Sequence, residues 1–426
     1  MIVDFTVKNF RSIKSEQIFS LYAENKTRHH AGNISYIDES LGILKTAAVY
    51  GSNASGKTNL IMAFDTLRAI IINSCDWKDG DVIDYYQPYL LSEETRTQPT
   101  EFEIEFYVNK NRYRYYLTFD SESIIFEKLD VFSTARPTNL FTRTTSDDWK
   151  NMKFGDAYKG GKRQIAFFKN NSYLSKSGNT PDSPEIVRDI FNYFRKNTET
   201  LLTQQSISII DWELNTHTRE AVNYFLRKAD FGISRFEIEK TDLPNNFPAF
   251  PENMPDEIKR AIINDFSKKE CFYHESENGN LVKFTKDMES SGTNRLFKIL
   301  PAFIDVLKDG SVLFVDEIES SFHPHIAELI IRIFNDPVVN INNAQLIYTT
   351  HDLSLMSSGL LRKDQIYLTE KSIKNGTEYI SLEDFDSSLK DNSPFSKWYS
   401  EGKLGGIPKI NYQDITSKIK EVLNNA

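Results

Sequence analysis

Along the 426-residue chain the spacing of apolar positions changes character twice. The first stretch alternates. Met1-Ile-Val-Asp-Phe-Thr-Val-Lys-Asn-Phe10 reads as a strand. After turn-rich polar residues through Thr27-Arg28-His29-His30, a second apolar run, Thr46-Ala-Ala-Val-Tyr50, ends in glycine. Residues Asn59 to Ile72 set Leu60, Ala63, Phe64, Leu67 and Ile71 on one face, which predicts a helix with that face in the core. Two period-2 runs, Phe102-Glu-Ile-Glu-Phe-Tyr-Val108 and Tyr113-Arg-Tyr-Tyr-Leu-Thr-Phe119, flank Asn109-Lys-Asn-Arg112 and predict a hairpin, with a further strand over 124–132.

From about Phe132 to Phe284 helical patterns separated by polar loops take over, notably Pro181 to Thr200, Thr216 to Lys228 and Met254 to Lys268. No heptad or internal repeat runs through them, so the expectation is a compact, mainly helical insertion rather than a coiled-coil arm. After Lys286 helix and apolar strand alternate: Asn294 to Leu307, Val312 to Val315, Pro324 to Asn335, Gln345 to Tyr348. That alternation predicts a parallel sheet covered by helices, an α/β fold. A strand at Gln365 to Thr369, a hairpin partner at Thr377 to Leu382 and a helix from about Tyr412 complete it. The expected division is an N-terminal lobe over 1–131, the insertion over 132–284 and a C-terminal lobe over 285–426.

Hydrophobic residues are 39% and charged residues 26% of the chain, which excludes global disorder and a helical rod. The net charge of −9, 51 basic against 60 acidic residues, argues against a polybasic nucleic-acid coat and leaves such contacts to local patches. One patch stands out between Trp149 and Asn179. Lys150, Lys153, Lys159, Lys162, Arg163, Lys169 and Lys176 face one acid, Asp156, among Trp149, Phe154, Tyr158, Phe167, Phe168 and Tyr173. Such a mix can grip phosphates and stack bases, or be a solvated, partly packed surface. The two cysteines, Cys75 and Cys271, support neither a disulfide framework nor a zinc hook. The acid in the first strand speaks against a cleavable signal, and the apolar stretch Ile299 to Leu307 is broken by Pro301 and Asp305, so a cytoplasmic protein is expected.

The chemistry is concentrated in four places. Gly51-Ser52-Asn53-Ala54-Ser55-Gly56-Lys57-Thr58 fits G-x-x-x-x-G-K-[ST] between an apolar strand and the amphipathic helix opening at Asn59, the context a phosphate loop requires. Its backbone amides would cradle phosphates, Lys57 would add a point charge on the β and γ groups, and Thr58 would ligate Mg²⁺. Ser311-Val-Leu-Phe-Val-Asp316-Glu317 delivers two carboxylates at a strand's C-terminal end, with Asp316 holding magnesium through water and Glu317 polarising the attacking water. Tyr348-Thr-Thr-His351-Asp352 would place an imidazole near the γ-phosphate. Met288-Glu-Ser-Ser-Gly-Thr-Asn-Arg295 opens a helix with a Ser/Gly turn that makes a further anion site.

Together these elements resemble the ABC-type ATPase heads of the SMC and RecF families and, more closely, the small AAA-family ATPases of OLD-like and abortive-infection loci. The resemblance implies an ABC-type P-loop head, a mixed sheet with helices and an antiparallel β subdomain, carrying a helical insertion. It implies ATP and Mg²⁺ as ligands, and a head-to-tail dimer in which Ser291 and Gly292 complete the partner's nucleotide site. Asn9-Phe-Arg11-Ser12-Ile resembles the motif whose Arg lies near the nucleotide, and Ile318-Glu-Ser320-Ser321-Phe-His323-Pro resembles the D-loop. Asp364-Gln-Ile, Ser381-Leu-Glu-Asp-Phe and Gly402-Lys-Leu-Gly-Gly-Ile-Pro408 resemble the tail of the defence-linked group. Two departures stand: only Gln87 offers itself for the family's Gln-containing loop, and Glu383-Asp-Phe-Asp386 is a poor substitute for the Toprim nuclease site of OLD relatives, which this chain is expected to lack. The function so implied is a hydrolysing, dimeric ATP switch that controls a separate nuclease or toxin in anti-phage defence. A DNA-repair or DNA-end-binding ATPase and an assembly scaffold with slow or no hydrolysis are the alternatives.

Overall fold

The computed structural model describes residues 1–24, 30–37, 41–134, 136–144, 149–202, 215–229, 232–241, 247, 250–251, 254, 259, 262–263, 266–321, 323–385, 389–407 and 411–424. Residues 27–29, most of the pattern expected from Met254 to Lys268, and Phe322, Asp386 and Pro408 lie outside the described residues.

The chain opens with the antiparallel pair β1 (Ile2–Lys8) and β2 (Gln17–Ser20), passes the small pair β3 (Ile34–Tyr36) and β4 (Gly42–Leu44), and enters β5 (Thr46–Gly51) and helix α1 (Lys57–Asn73). β6 (Thr100–Val108), β7 (Asn111–Phe119), β8 (Ile124–Phe132), β9 (Thr138–Thr144) and β10 (Lys153–Phe154) then join the first pair in a seven-stranded sheet ordered β10-β9-β8-β7-β6-β1-β2. Asn109 and Lys110, at φ 49° and 66°, supply the left-handed pair that the tight β6–β7 turn demands. Helices α2 (Tyr173–Gly178) and α3 (Glu185–Lys196) lead to β11 (Thr198–Leu201). Helix α4 (Thr216–Lys228) leads to a three-stranded sheet of β12 (Ile233–Lys240), β13 (Lys268–Glu275) and β14 (Leu281–Thr285). Helix α5 (Ser291–Asp309), β15 (Val312–Val315), α6 (Pro324–Asn335), β16 (Gln345–Thr349), β17 (Ile366–Ser372) and β18 (Gly376–Ser381) follow, then α7 (Leu382–Phe385), α8 (Phe395–Ser400) and α9 (Tyr412–Asn424).

The central sheet is ordered β11-β15-β16-β5-β17-β18. Its first five strands are parallel and β18 runs antiparallel to β17. β16 therefore separates the strand that ends in the glycine loop from the strand that ends in Asp316, and three strand ends meet at one edge. One face of this sheet packs on α1, whose Leu60, Phe64, Leu67 and Ile71 share a core with Phe5 and Phe102 of the antiparallel sheet. Phe64 stacks on Phe314 at 4.1 Å and meets Phe5 edge-on at 5.9 Å, so one ring ties three layers together. Burying such a side chain contributes about 1.5–3 kcal/mol. The other face is covered by α5 and α6 through Leu296, Leu300, Ile330 and Ile331. This is an α/β architecture: a mixed six-stranded sheet covered by helices, beside a seven-stranded antiparallel sheet.

Several expected elements coincide closely with observed ones, among them β8, α4, β15 and α6. The segment 132–284 differs from the expectation of a mainly helical insertion: among its described residues it carries six strands beside α2, α3 and α4. β9 and β10 extend the antiparallel sheet, and β11 forms an edge of the central sheet, so these strands are parts of the two lobes. The reason is tertiary. β11 is a four-residue strand one residue after α3, with no alternation of its own, and it is fixed by its parallel partner β15.

A buried glutamine joins the two large sheets. Gln345 of β16 donates to the carbonyls of Ile2 (2.9 Å) and Leu44 (3.1 Å) and accepts the Ile2 amide at 2.6 Å. Replacing it with leucine strands these backbone groups, which cost about 1–3 kcal/mol each when buried unpaired. Gln345→Leu is therefore expected to lower unfolding free energy by at least about 2 kcal/mol, read as a fall in the chemical-denaturation midpoint.

Candidate functional site

The glycine loop is shaped by its neighbours on β17 and β18. A Cβ on Gly51 would lie 2.0 Å from Thr369 Oγ1, and one on Gly56, at φ 109°, would lie 2.4 Å from Thr377 Oγ1 and 2.8 Å from Ser12 Oγ. Only glycine fits either position. Asn53 and Ala54 form the exposed crest, Ala54 at φ 61°. The loop's carbonyls are engaged from behind. Lys57 Nζ donates to Gly51 O (3.0 Å) and Ser52 O (3.1 Å), Thr377 Oγ1 to Ser55 O (2.7 Å), and Tyr379 OH to Gly56 O (2.7 Å). Ser55 Oγ meets Thr369 Oγ1 at 2.5 Å. Helix α1 begins directly behind this turn, with Asn59 in its first turn, as an anion cradle requires.

Asp316 leaves β15 beside this loop. Its Oδ1 accepts from Thr58 Oγ1 at 2.9 Å and from Thr349 Oγ1 at 2.7 Å. Thr349 also accepts the Glu317 amide at 2.8 Å. Glu317 sits at φ 50°, a left-handed conformation that costs a non-glycine residue on the order of 1–2 kcal/mol and recurs at functional sites. The Thr58 hydroxyl and Asp316 carboxylate are adjacent hard oxygen donors, so this pair fits Mg²⁺.

The charges around Asp316 are mixed. Burial pushes the Lys57 ammonium down from its ordinary pKa, while Asp316, Glu317 and Glu319 oppose the shift. Burial likewise lowers Arg295, again opposed by Glu317, Asp316 and Glu319; its Nη2 donates to the Asp316 carbonyl at 3.4 Å. His351 is depressed by partial burial and then by Lys57, against the three carboxylates, which favours a neutral imidazole. Its backbone amide donates to Glu319 Oε1 at 2.8 Å.

The remaining sequence-selected residues fall into two places. Arg11, Ser12 and Asn59 line a cavity of about 580 Å³ with Tyr86, Gln87 and Tyr89. Ser12 accepts from Asn59 Nδ2 at 2.5 Å and meets Thr377 Oγ1 at 2.7 Å, while the Arg11 amide donates to Gln87 O at 2.6 Å. Gln87 itself is exposed. At the other place, Ser290 caps α5 by accepting the Thr293 amide at 3.0 Å, leaving Ser291 exposed and Gly292 buried. Ser320 and Ser321 follow Glu317 in a tight turn, Ser321 at φ 71°, and His323 caps α6 ahead of Pro324.

The basic segment is corrected in part. Tyr158 and Tyr173 are fully buried core rings, not available to stack bases, and the half-buried Phe154 and Phe167 pack against them at 4.9–6.1 Å; Trp149 is half-buried and Phe168 exposed. Lys169 pairs with Glu122, Lys176 donates to Cys75 O, and Arg163 donates to Tyr158 O. Lys150, Lys153, Lys159 and Lys162 are exposed. Both cysteines are buried and free. Among the described residues no helix is long and apolar enough to cross a membrane.

Sequence reasoning missed Thr349, Thr369, Thr377, Tyr379 and Arg295. Thr349 and Arg295 lie inside the quoted motifs Tyr348 to Asp352 and Met288 to Arg295 but carry no assigned role there; the signal of Thr369, Thr377 and Tyr379 is spatial, each contributing a hydroxyl from an element distant in sequence. A family model described as "AAA domain, putative AbiEii toxin, Type IV TA system" matches residues 47–357, from the glycine loop through His351. No curated protein matches the chain. Among solved structures, the SMC head domain from Thermotoga maritima is similar over 89% of this chain and 98% of that chain, at 14% identity and a TM-score of 0.38.

Thr349 gives the sharpest test of this geometry. Thr349→Val removes both the support of Asp316 and the acceptor for the Glu317 amide. It is expected to weaken Mg²⁺-dependent ATP binding about tenfold, as loss of an outer-shell partner does, while binding measured in EDTA stays within about twofold of the unmodified chain; isothermal titration calorimetry reads both.

Proposed function

The chain belongs to the AAA-domain family whose model spans residues 47–357, and from that premise we propose that it is an ATP-hydrolysing dimeric switch that controls a separate effector. The observation that carries this reading is the junction of Thr58, Asp316 and Thr349, which unites a phosphate loop with a metal-binding carboxylate.

In this reading the loop's amides and the α1 N-terminus bind the phosphates of ATP, and the Lys57 ammonium exchanges the Gly51 and Ser52 carbonyls for phosphate oxygens. Thr58 and Asp316 hold Mg²⁺, Asp316 through water, and the ion when bound neutralises charge on the β and γ groups. Glu317, held forward by its left-handed backbone, orients the attacking water and accepts its proton. His351, neutral near pH 7, donates a hydrogen bond to the γ-phosphate. Arg11, Ser12 and Asn59 flank the nucleoside, and the exposed Ser291 at the start of α5, with Gly292 and the Ser320-Ser321 turn, closes on the nucleotide of a second copy. The result is a head-to-tail pair with two ATP molecules between its faces. ATP favours the closed pair and hydrolysis reopens it, because the nucleotide makes different contacts in the two states.

The family's description, with its toxin and type IV toxin–antitoxin system, supports a role in bacterial defence of the abortive-infection kind, a role we assign to the cytoplasm. We place the chain in the OLD-like group and assign the effector role to a separate nuclease or toxin. The DNA-end-binding alternative retains the exposed lysines 150, 153, 159 and 162 for phosphate contacts and the exposed ring of Phe168, while Tyr158 and Tyr173 are buried and withdrawn from base stacking.

Glu317→Gln tests the enzyme and the switch together. Hydrolysis is expected to fall at least about a hundredfold while ATP still binds, and light scattering with ATP·Mg²⁺ is expected to show a doubled mass that persists. Unchanged hydrolysis overturns the role of Glu317; an unchanged mass overturns the ATP-closed pair and favours a constitutive scaffold.

A further inference from the structure

Glu319 lies three residues beyond Asp316, in the turn after β15. One of its oxygens, Oε1, accepts the His351 amide at 2.8 Å. The other, Oε2, is buried and meets no protein hydrogen-bond donor. Among the described residues the same condition holds for the hydroxyls of Tyr50 and Tyr348 and for Oδ2 of Asp352 in this part of the fold. Tyr348 pairs in register with Ala48 on β5, two residues before Tyr50, so the two tyrosines share one face of adjacent strands and one core cluster; the charges of Asp352 and Glu319 reach Tyr50, and that of Glu319 reaches Tyr348. Tyr50 ends β5 just before the glycine loop, and Tyr348 lies in β16. Their rings are 1% and 0% exposed.

Burial raises both phenols well above their ordinary pKa, so both keep their protons and remain donors. Two phenol donors and two carboxylate acceptors form a matched set. Asp352 is meanwhile anchored through its other oxygen, which accepts the Ser354 amide at 2.8 Å. His351 is thus gripped on both sides: Glu319 holds its amide, and its chain neighbour Asp352 shares the same buried cluster.

We propose that Glu319 is a positioning residue for His351, locked in place by a buried polar cluster with Tyr50, Tyr348 and Asp352. A carboxylate oxygen taken out of water without a protein donor is costly, and the cluster offsets that cost only while Glu319 keeps its observed rotamer. The cluster also spans the ends of β5 and β16 and the turn after β15, so a shift of that turn reaches His351 directly. The catalytic consequence rests on the hydrolytic reading above; the structural link to His351 does not.

Three variants of the full chain, Glu319→Ala, Glu319→Gln and Tyr348→Phe, test the inference with two readouts. The first is hydrogen exchange of the His351 amide. It is expected to accelerate about tenfold in Glu319→Ala, the equivalent of one lost hydrogen bond, and to return toward the unmodified rate in Glu319→Gln, which retains an amide acceptor. The second is steady-state ATP hydrolysis with separate measurement of ATP affinity. In Glu319→Ala kcat is expected to fall about tenfold with affinity changed by less than about twofold, with partial recovery in Glu319→Gln and a smaller loss in Tyr348→Phe. Unchanged exchange in Glu319→Ala overturns the inference, and so does a parallel fall of kcat and affinity, which marks general damage to the fold. If the unmodified chain hydrolyses no ATP, the hydrolytic reading fails, and the exchange result alone then decides whether Glu319 holds His351.

Discussion

A single carboxylate oxygen, Asp316 Oδ1, accepts hydrogen bonds from Thr58 at the start of α1 and from Thr349 at the end of β16. The geometry of the site depends on this junction, because it fixes three chain segments to one point, Thr58 and Asp316 alone being 258 residues apart. The strand order makes it possible: with β16 between β5 and β15, a hydroxyl on the middle strand can support the carboxylate of one neighbour while facing the loop of the other. The same hydroxyl receives the Glu317 amide and helps hold that residue in a backbone conformation it would not adopt alone.

Around this junction the protein balances buried charge without neutralising it. Lys57 and Arg295 stand against Asp316, Glu317 and Glu319, and both cations are shifted downward by burial while the carboxylates hold them up. Lys57 is satisfied by carbonyls of its own loop, neutral partners that an anionic phosphate oxygen outcompetes, since charge-assisted hydrogen bonds are about twice as strong as neutral ones. The loop is rigid behind and open in front. Thr377 and Tyr379 tie its carbonyls to β18, and the close approach of that strand is what excludes any side chain at Gly56.

Much of this was legible in the sequence because the phosphate loop, the Asp-Glu strand end and the helical faces are local patterns. The eight-residue spacing from Gly51 to Thr58, the 3.6-period of α1 and the apolar run of β15 each carry their own periodicity. What was not legible arises from contacts between distant segments. Thr369, Thr377 and Tyr379 look like ordinary strand residues until β17 and β18 fold over the loop. The strand β11 has no signal apart from its partner. Between Trp149 and Asn179 the rings and the positive charges alternate in sequence, yet the structure sorts them: Tyr158 and Tyr173 enter the core and several lysines stay in solvent. Composition alone does not reveal that separation. The left-handed backbone of Glu317 is equally invisible, because glutamate carries no propensity for it.

The most direct test of the central claim is a structure with Mg²⁺ and a non-hydrolysable ATP analogue. The account predicts the triphosphate at the α1 N-terminus, Lys57 Nζ moved from the Gly51 and Ser52 carbonyls to phosphate oxygens, and Mg²⁺ within about 2.1 Å of Thr58 Oγ1, with Asp316 beside it. Nucleotide bound away from the loop, or Mg²⁺ held without Thr58 and Asp316, would contradict it.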